Sequence, residues 1–220
     1  MNTQIPSQSK EDYLKYIYHI QEVGSKVNTG NLAAALAVSP ASVSEMVTKL
    51  SKQGWIENTP YHGFKLTKEG EKISINLIRK HRLLEVFLQQ NLNYEWDEVH
   101  AEAERLEHVC SDMFINKLEE YLGHPKFDPH GDPIPDKNGK VELTNYKLLG
   151  SAEAKKDYVI AKVNDTSKEI LQYFSKIGLK LNSKIHLNEK IDFDGSVLIL
   201  LAGKKYLLSK VMTEQIFVVE

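Results

Sequence analysis

Sulfur, long apolar runs and net charge are all scarce in this chain. One cysteine in 220 residues, Cys110, leaves no internal disulfide framework and reads as a small buried helix residue. No run of about 20 apolar residues is present to span a bilayer, and the polar first residues, read as loose, lack the apolar region of a secretory signal. A cytoplasmic protein with no membrane partner is expected. Lys and Arg number 28 against 30 Asp and Glu, a formal net charge of −2. No global basic field therefore announces a nucleic-acid partner, and any affinity for DNA must be local or switchable. A Gly-rich phosphate loop, a nucleophile elbow and a His-Glu-x-x-His pair are missing too, so neither the common enzyme classes nor a small organic ligand are expected.

What is present begins with 41% hydrophobic residues, enough for the cores of two or three small domains. The densest chemistry lies in the stretch His100-Ala-Glu-Ala-Glu104-Arg-Leu-Glu107-His108. On one helix, expected from about residue 96 to 121, His100, Glu104, Glu107 and His108 fall within roughly a 100° arc, while Glu102 points away. Two carboxylates and two imidazoles then converge as a metal-binding set. The alternative is a solvated helix face, but Leu106, Val109 and Met113 mark an apolar stripe close beside it.

Taken in order, Ser9 to Asp12 opens a first helix with Tyr13, Leu14, Ile17, Tyr18 and Ile20 at helical spacing, ended by Gly24. Asp12 fits the N3 position of a capping box begun by Ser9, which explains it without a further role. Thr29 caps a short helix, and Ser39 with Pro40 at its first position opens the next, where Val43, Met46, Val47 and Leu50 repeat at i, i+3, i+4, i+7. Ser39, Pro40, Ala41, Ser42, Ser44, Glu45, Thr48 and Lys49 are left outside, a face of short polar groups suited to phosphates and base edges in a major groove. Residues 54–57, a turn over Asn58 to Gly63, and residues 64–67 read as a two-stranded wing carrying Lys65. Over residues 39–68, four lysines against two glutamates give a local excess of +2.

Thr67 begins a long helix to about residue 90 whose apolar surplus, including Ile73, Leu77, Leu84, Phe87 and Leu88, suggests a dimer interface. His81 and Glu85 lie on it at i, i+4. Gly123 to Pro135, with four prolines and two glycines, ends the helical part. Residues 136–149 read as a polar linker with one short extended piece. Residues 157–164 and 184–220 alternate like strands, with a helix over Thr166 to Ile177, as in a small SH3-like β-barrel. The expected fold is α+β: a winged helix-turn-helix over 1–70, an all-α domain over 71–135, the linker, and the barrel over 150–220.

This order, with Arg79-Lys-His-Arg-Leu-Leu-Glu85, Glu104-x-x-Glu107-His108 and Pro129-His130-Gly-x-Pro-Ile-Pro135, resembles the diphtheria toxin repressor family of metal-dependent transcriptional regulators, most of all its three-domain manganese-responsive branch. The resemblance covers almost the whole chain. It implies a homodimer on a double-stranded DNA operator near metal-uptake genes, and up to two Mn²⁺ per chain, with Fe²⁺ as the alternative. It implies a first metal site of Asp12, Glu104, Glu107 and His108 and a second of Glu85, Asp128, His130 and Asp165, with His81 and His100 as additional ligands or close neighbours. Asp128 departs from the cysteine that related sequences often carry there. Iron-responsive members are similar but carry a Met and a Cys where this chain has Asp12 and Glu104, and hard carboxylates favour Mn²⁺ over soft sulfur sites. Lys15 stands where two-domain manganese members carry a Glu, so one ion rather than a close pair is expected beside it. The rival class, a di-metal carboxylate enzyme, requires Glu-x-x-His on two helices, and this chain has Glu-x-x-Glu-His once.

Overall fold

The structure, a computed structural model, describes residues 8–59, 63–142, 144–165 and 167–220; the first residues, expected to be loose, and the middle of the Asn58 to Gly63 turn lie outside this range. The chain divides into two compact units: residues 1–80 with 107–110 and 135–140, and residues 81–106 with 111–134 and 141–220. One break of this division, between residues 134 and 135, lies at the expected boundary near 135, and none lies near 70. Among the described residues no helix is long and apolar enough to cross a membrane.

The first unit contains α1 (Gln8–Glu22), α2 (Thr29–Leu36), α3 (Pro40–Lys52), the antiparallel pair β1 (Ile56–Thr59) and β2 (Gly63–Leu66), and the first part of α4 (Lys68–Leu92). Ser9 already lies inside α1, so it is not a cap and Asp12 loses its capping-box explanation. Asn28, not Thr29, caps α2 by accepting from Asn31 N, and Ser39 caps α3 by accepting from Ser42 N, with Pro40 at the first turn. Leu14, Ile17, Leu32, Val43, Leu50 and Trp55 share one core, so α1, α2, α3 and the wing move as one body. Thr67 Oγ1 accepts from Gly70 N at 3.1 Å to cap α4.

The second unit holds the rest of α4, then α5 (Val99–Leu106), α6 (Asp112–Tyr121) and an antiparallel sheet. The single helix expected from 96 to 121 is thus two. Ser111 restarts it by accepting from Phe114 N at 3.2 Å, and Lys80 Nζ donates to the Cys110 carbonyl oxygen at 2.8 Å in the interruption. Cys110 is accordingly neither helical nor fully buried, and Val109 and Met113, 78% and 76% exposed, form no buried stripe. Part of the apolar surplus of α4 is used within the chain, since Leu83, Leu84 and Leu88 are buried, while Leu92 at its end and Met113, Phe114 and Tyr121 on α6 are exposed.

The sheet has the order β3-β8-β4-β5-β6-β7, from β3 (Lys147–Leu148), β4 (Lys156–Val163), β5 (Lys184–Lys190), β6 (Val197–Leu201), β7 (Lys204–Leu208) and β8 (Ile216–Val219), with α7 (Lys168–Ile177) packed on it through Leu171 and Phe174. Because β3 pairs with β8, and Leu149 is fully buried, the end of the expected 136–149 linker belongs to the sheet. The Pro-bounded loop is fastened to β4 by backbone. Val163 N donates to His130 O at 2.8 Å, and Gly131, at φ +92°, lies so close that a Cβ would stand 2.2 Å from the Ala161 carbonyl oxygen.

Candidate metal centres and nucleic-acid interface

In the first unit, donor atoms of Asp12, Glu107 and His108 lie within 4.8 Å of one another. Asp12 reaches in from α1, and the other two from the turn that follows α5. Glu107 is fully buried, and Lys15 Nζ donates to both of its oxygens, at 2.9 and 3.0 Å. His108 Nδ1 donates to Glu11 Oε2 at 2.6 Å, which turns Nε2 toward Asp12 Oδ1 at 3.0 Å and Glu107 Oε1 at 3.5 Å. Glu11 was not singled out by sequence reasoning; the only signal is an acid one place before Asp12, and nothing local connects it with a histidine 97 positions on.

In the second unit the donors form three overlapping sets: Glu85, Asp128 and His130; Glu85, His100 and Asp165; and His81, His100 and Glu104. The four residues expected as one second site are therefore divided, with Glu85 common to both halves. Asp165 falls with His100, 2.9 Å from its Nδ1, instead of with Asp128 and His130. Nor does Asp165 cap α7, since Ser167 does so by accepting from Ile170 N. Glu104 Oε2 lies 3.6 Å from His81 Nδ1, and His81 Nε2 lies 3.0 Å from Glu85 Oε1.

Charges in this cluster hold one another in place. Burial alone would raise the Glu85 carboxyl, but His81, His100 and His130 together hold it well below the usual carboxylate range. His100 is raised to about 10 by Asp165 and Glu85 against the opposing effect of burial. Burial also opposes charge on His130, yet Glu85, 3.9 Å from Nδ1, outweighs it and the ring is held at about 9. Asp165, despite burial, is drawn down to about 2 by His100. Asp128 goes the other way, to about 7, because it is buried beside Glu85 and Asp132, only partly offset by Arg82 and His130. Its Oδ1 also accepts from His130 N and Asp132 N at 2.8 and 2.9 Å, a turn-forming role that a cysteine in this place would not fill.

Both sets fit a divalent cation. His108 Nε2 and His130 Nδ1 are buried, face carboxylate oxygens, and make no hydrogen bond among the described residues. A buried polar atom left in that state costs about 1–3 kcal/mol unless something occupies it. The donors are oxygen and imidazole nitrogen without sulfur, which suits Mn²⁺, Fe²⁺ or Zn²⁺.

The residues expected to meet nucleic acid lie together on one surface. Ser39, Pro40, Ala41, Ser42, Ser44, Glu45, Thr48 and Lys49 are all exposed at the start and along the outside of α3, and Lys65 is exposed on β2. Ser44 and Thr48 hydroxyls donate to backbone oxygens one turn back, at 3.0 and 2.9 Å. Lys49 is paired with Glu45 at 2.6 Å, so that part of the face carries less free positive charge than a count of lysines suggests.

Family models cover most of the chain: the iron dependent repressor N-terminal DNA binding domain over residues 7–64, the iron dependent repressor metal binding and dimerisation domain over 67–136, and the FeoA domain over 147–220. The iron-dependent repressor IdeR of Mycobacterium tuberculosis is 37% identical over 133 residues, which is 60% of this chain and 56% of that protein. The regulator MntR of Oceanobacillus iheyensis is 34% identical over 56% of this chain and 84% of its own length. This chain thus aligns with little more than half of the mycobacterial relative. A solved manganese-dependent transcriptional repressor in complex with manganese is similar over 96% of this chain and 99% of its own, with 35% identity and a TM-score of 0.88. From its N-terminal DNA-binding domain to its FeoA domain, the chain belongs to the iron-dependent repressor family of metal-dependent transcriptional repressors.

Proposed function

We propose that this protein is a manganese-responsive repressor of metal-uptake genes, binding an operator in double-stranded DNA as a homodimer with one ion at each of two centres per chain. The observation that carries the reading is the pair of buried imidazole nitrogens, His108 Nε2 and His130 Nδ1, that face carboxylates and make no hydrogen bond among the described residues. The sulfur-free donors, and the manganese complex of the similar repressor, support Mn²⁺. The kinship with IdeR favours Fe²⁺ as the second reading. Residues 1–70 would read DNA, 71–135 bind metal and dimerise, and 150–220 support the second centre.

Asp12, Glu107 and His108 would hold the first ion, with Glu104, three residues before Glu107, as fourth donor. Glu85, Asp128 and His130 would hold the second, with His81, His100 and Asp165 as neighbours able to exchange into it. An ion supplies the positive charge that lets these acidic groups converge. Without it, Asp12 and the Glu107 region repel, and α1 is held less firmly. Lys15 neutralises part of Glu107 and opposes a second cation beside the first, so the first centre takes one ion. Glu11 fixes the His108 ring so that Nε2 faces the ion. Because α1 and α3 share one core, holding α1 holds the recognition helix, and two such helices in a dimer must match half-site spacing on DNA. A population shift of this kind needs only a few kcal/mol of differential binding. Footprinting of the protein's own promoter region, with Mn²⁺ and then with excess chelator, tests the proposal: protection should vanish with the chelator, and protection that persists unchanged contradicts it.

A further inference from the structure

We infer that Trp96 is the positioning residue of the second metal centre and that its ring reports when that centre is filled. The inference rests on the proposed second centre. Trp96 sits in the turn before α5, 8% exposed, with its side chain in the core beneath the sheet. From there it makes three links to the loop that carries the metal donors. Its indole ring stacks on the His130 ring, with centroids 5.8 Å apart and planes 12° from parallel. Its Nε1 donates to the Pro129 carbonyl oxygen at 2.9 Å. Its own carbonyl oxygen accepts from His130 Nε2 at 3.0 Å.

The last link decides which nitrogen is a donor to metal. A carbonyl oxygen can only accept, so Nε2 keeps its hydrogen in every protonation state and Nδ1 alone remains for an ion. That Nδ1 is the buried atom without a hydrogen bond, facing Glu85. Asp128 Oδ1, by accepting from His130 N, fixes the backbone of the loop but not the imidazole plane. The plane is set by the stack and by the Nε2 bond, and both come from Trp96. Partners that orient a metal-binding histidine are typically worth 10–100-fold in affinity.

The chain has two tryptophans, and Trp55 belongs to the core of the first unit. In a Trp55→Phe protein the emission of Trp96 is therefore isolated, and a paramagnetic ion bound to the ring stacked against it should quench that emission. The experiment is a chelator-buffered Mn²⁺ titration of full-length Trp55→Phe, followed by emission and by equilibrium dialysis. Quenching should saturate with one of the bound ions, survive Asp12→Ala and disappear in His130→Ala. With Trp55 restored, Trp96→Leu should weaken the second ion by about 10–100-fold and leave the first unchanged, while Trp96→Phe, which keeps a stacked ring, should recover most of the loss. Quenching that follows Asp12 instead of His130, or equal second-ion affinity in Trp96→Leu and the parent, overturns the inference alone. A parent protein that binds no second ion by dialysis overturns the second centre along with it. The quenching arm leaves Trp96 in place, so it decides the matter even where the Leu variant does not fold.

Discussion

The two donor clusters use the same residue types and solve opposite problems. At the first, Asp12 on α1 meets Glu107 and His108 from the turn after α5, and Lys15 already places a cation against Glu107. An ion bound there would tie α1 to the turn that carries Glu107 and His108. At the second, three imidazoles and four carboxylates lie among one another, with His100 at about 10 and Asp165 at about 2, while the loop behind them is tied to β4 by backbone. In the proposed function the first centre is therefore the switch. The second cluster is densely paired, and its loop is tied to β4 by backbone hydrogen bonds that involve no ion. The sheet therefore does not depend on metal for its attachment to the loop: Gly131 against Ala161 and Val163 N to His130 O provide that directly.

The largest effect that would break this contrast is expected from Glu107→Ala. It removes the fully buried carboxylate that takes the Lys15 ammonium at both oxygens, and breaking such a pair from one side costs about 3–5 kcal/mol. Urea unfolding of the metal-free protein should show it; a loss below about 1 kcal/mol would place the pair among weak surface contacts. Next is Glu11→Ala, which frees the His108 ring and should lower first-centre Mn²⁺ affinity by about 10–100-fold in dialysis without changing the number of ions bound. Gly131→Ala follows. Its backbone is left-handed and its Cβ would meet a carbonyl, so the second unit should lose more than about 1 kcal/mol, seen as faster hydrogen exchange along β4, while α1 to α3 are unaffected. The smallest is Asp165→Ala. His100 owes its raised value first to Asp165, so its titration, followed by NMR in metal-free protein, should move down from about 10. A histidine with a raised folded pKa stabilises fully below its unfolded value near 6.5 and loses that contribution as pH rises through about 10. The stability gap between parent and Asp165→Ala should therefore be widest between about pH 4 and 6.5 and fade toward pH 10.

Local chemistry made parts of this molecule readable in advance. Ser39-Pro40 starts α3 because the hydroxyl caps the helix and the ring presets its first turn, and the i, i+3, i+4, i+7 repeat then orients the DNA face. The interruption between α5 and α6 was not readable in the same way. Residues 107–110 contain no Gly or Pro, and helical periodicity runs through them; only Ser111, a cap in disguise, marks the restart. β3 is two residues long and exists only through β8, some seventy positions later, so nothing local distinguishes it from linker. The membership of the first centre came from family resemblance, because Asp12 and His108 are joined by tertiary contact alone. The grouping of the second cluster was not legible in the sequence. A list of donors does not say that Asp165 faces His100, or that Glu85 is the residue shared by two sets.

In the proposed function, metal at the first centre gates DNA binding and its oxygen-rich donors favour Mn²⁺. This is tested most directly by anaerobic, chelator-buffered titration of operator binding with Mn²⁺, Fe²⁺ and Zn²⁺ in the parent protein and in Asp12→Met. Expected are no binding without metal, Mn²⁺ activation of the parent at physiological free concentrations, and a shift of preference toward Fe²⁺ in Asp12→Met. Operator binding by the metal-free parent, or an Asp12→Met protein with the parent's metal response, would contradict it.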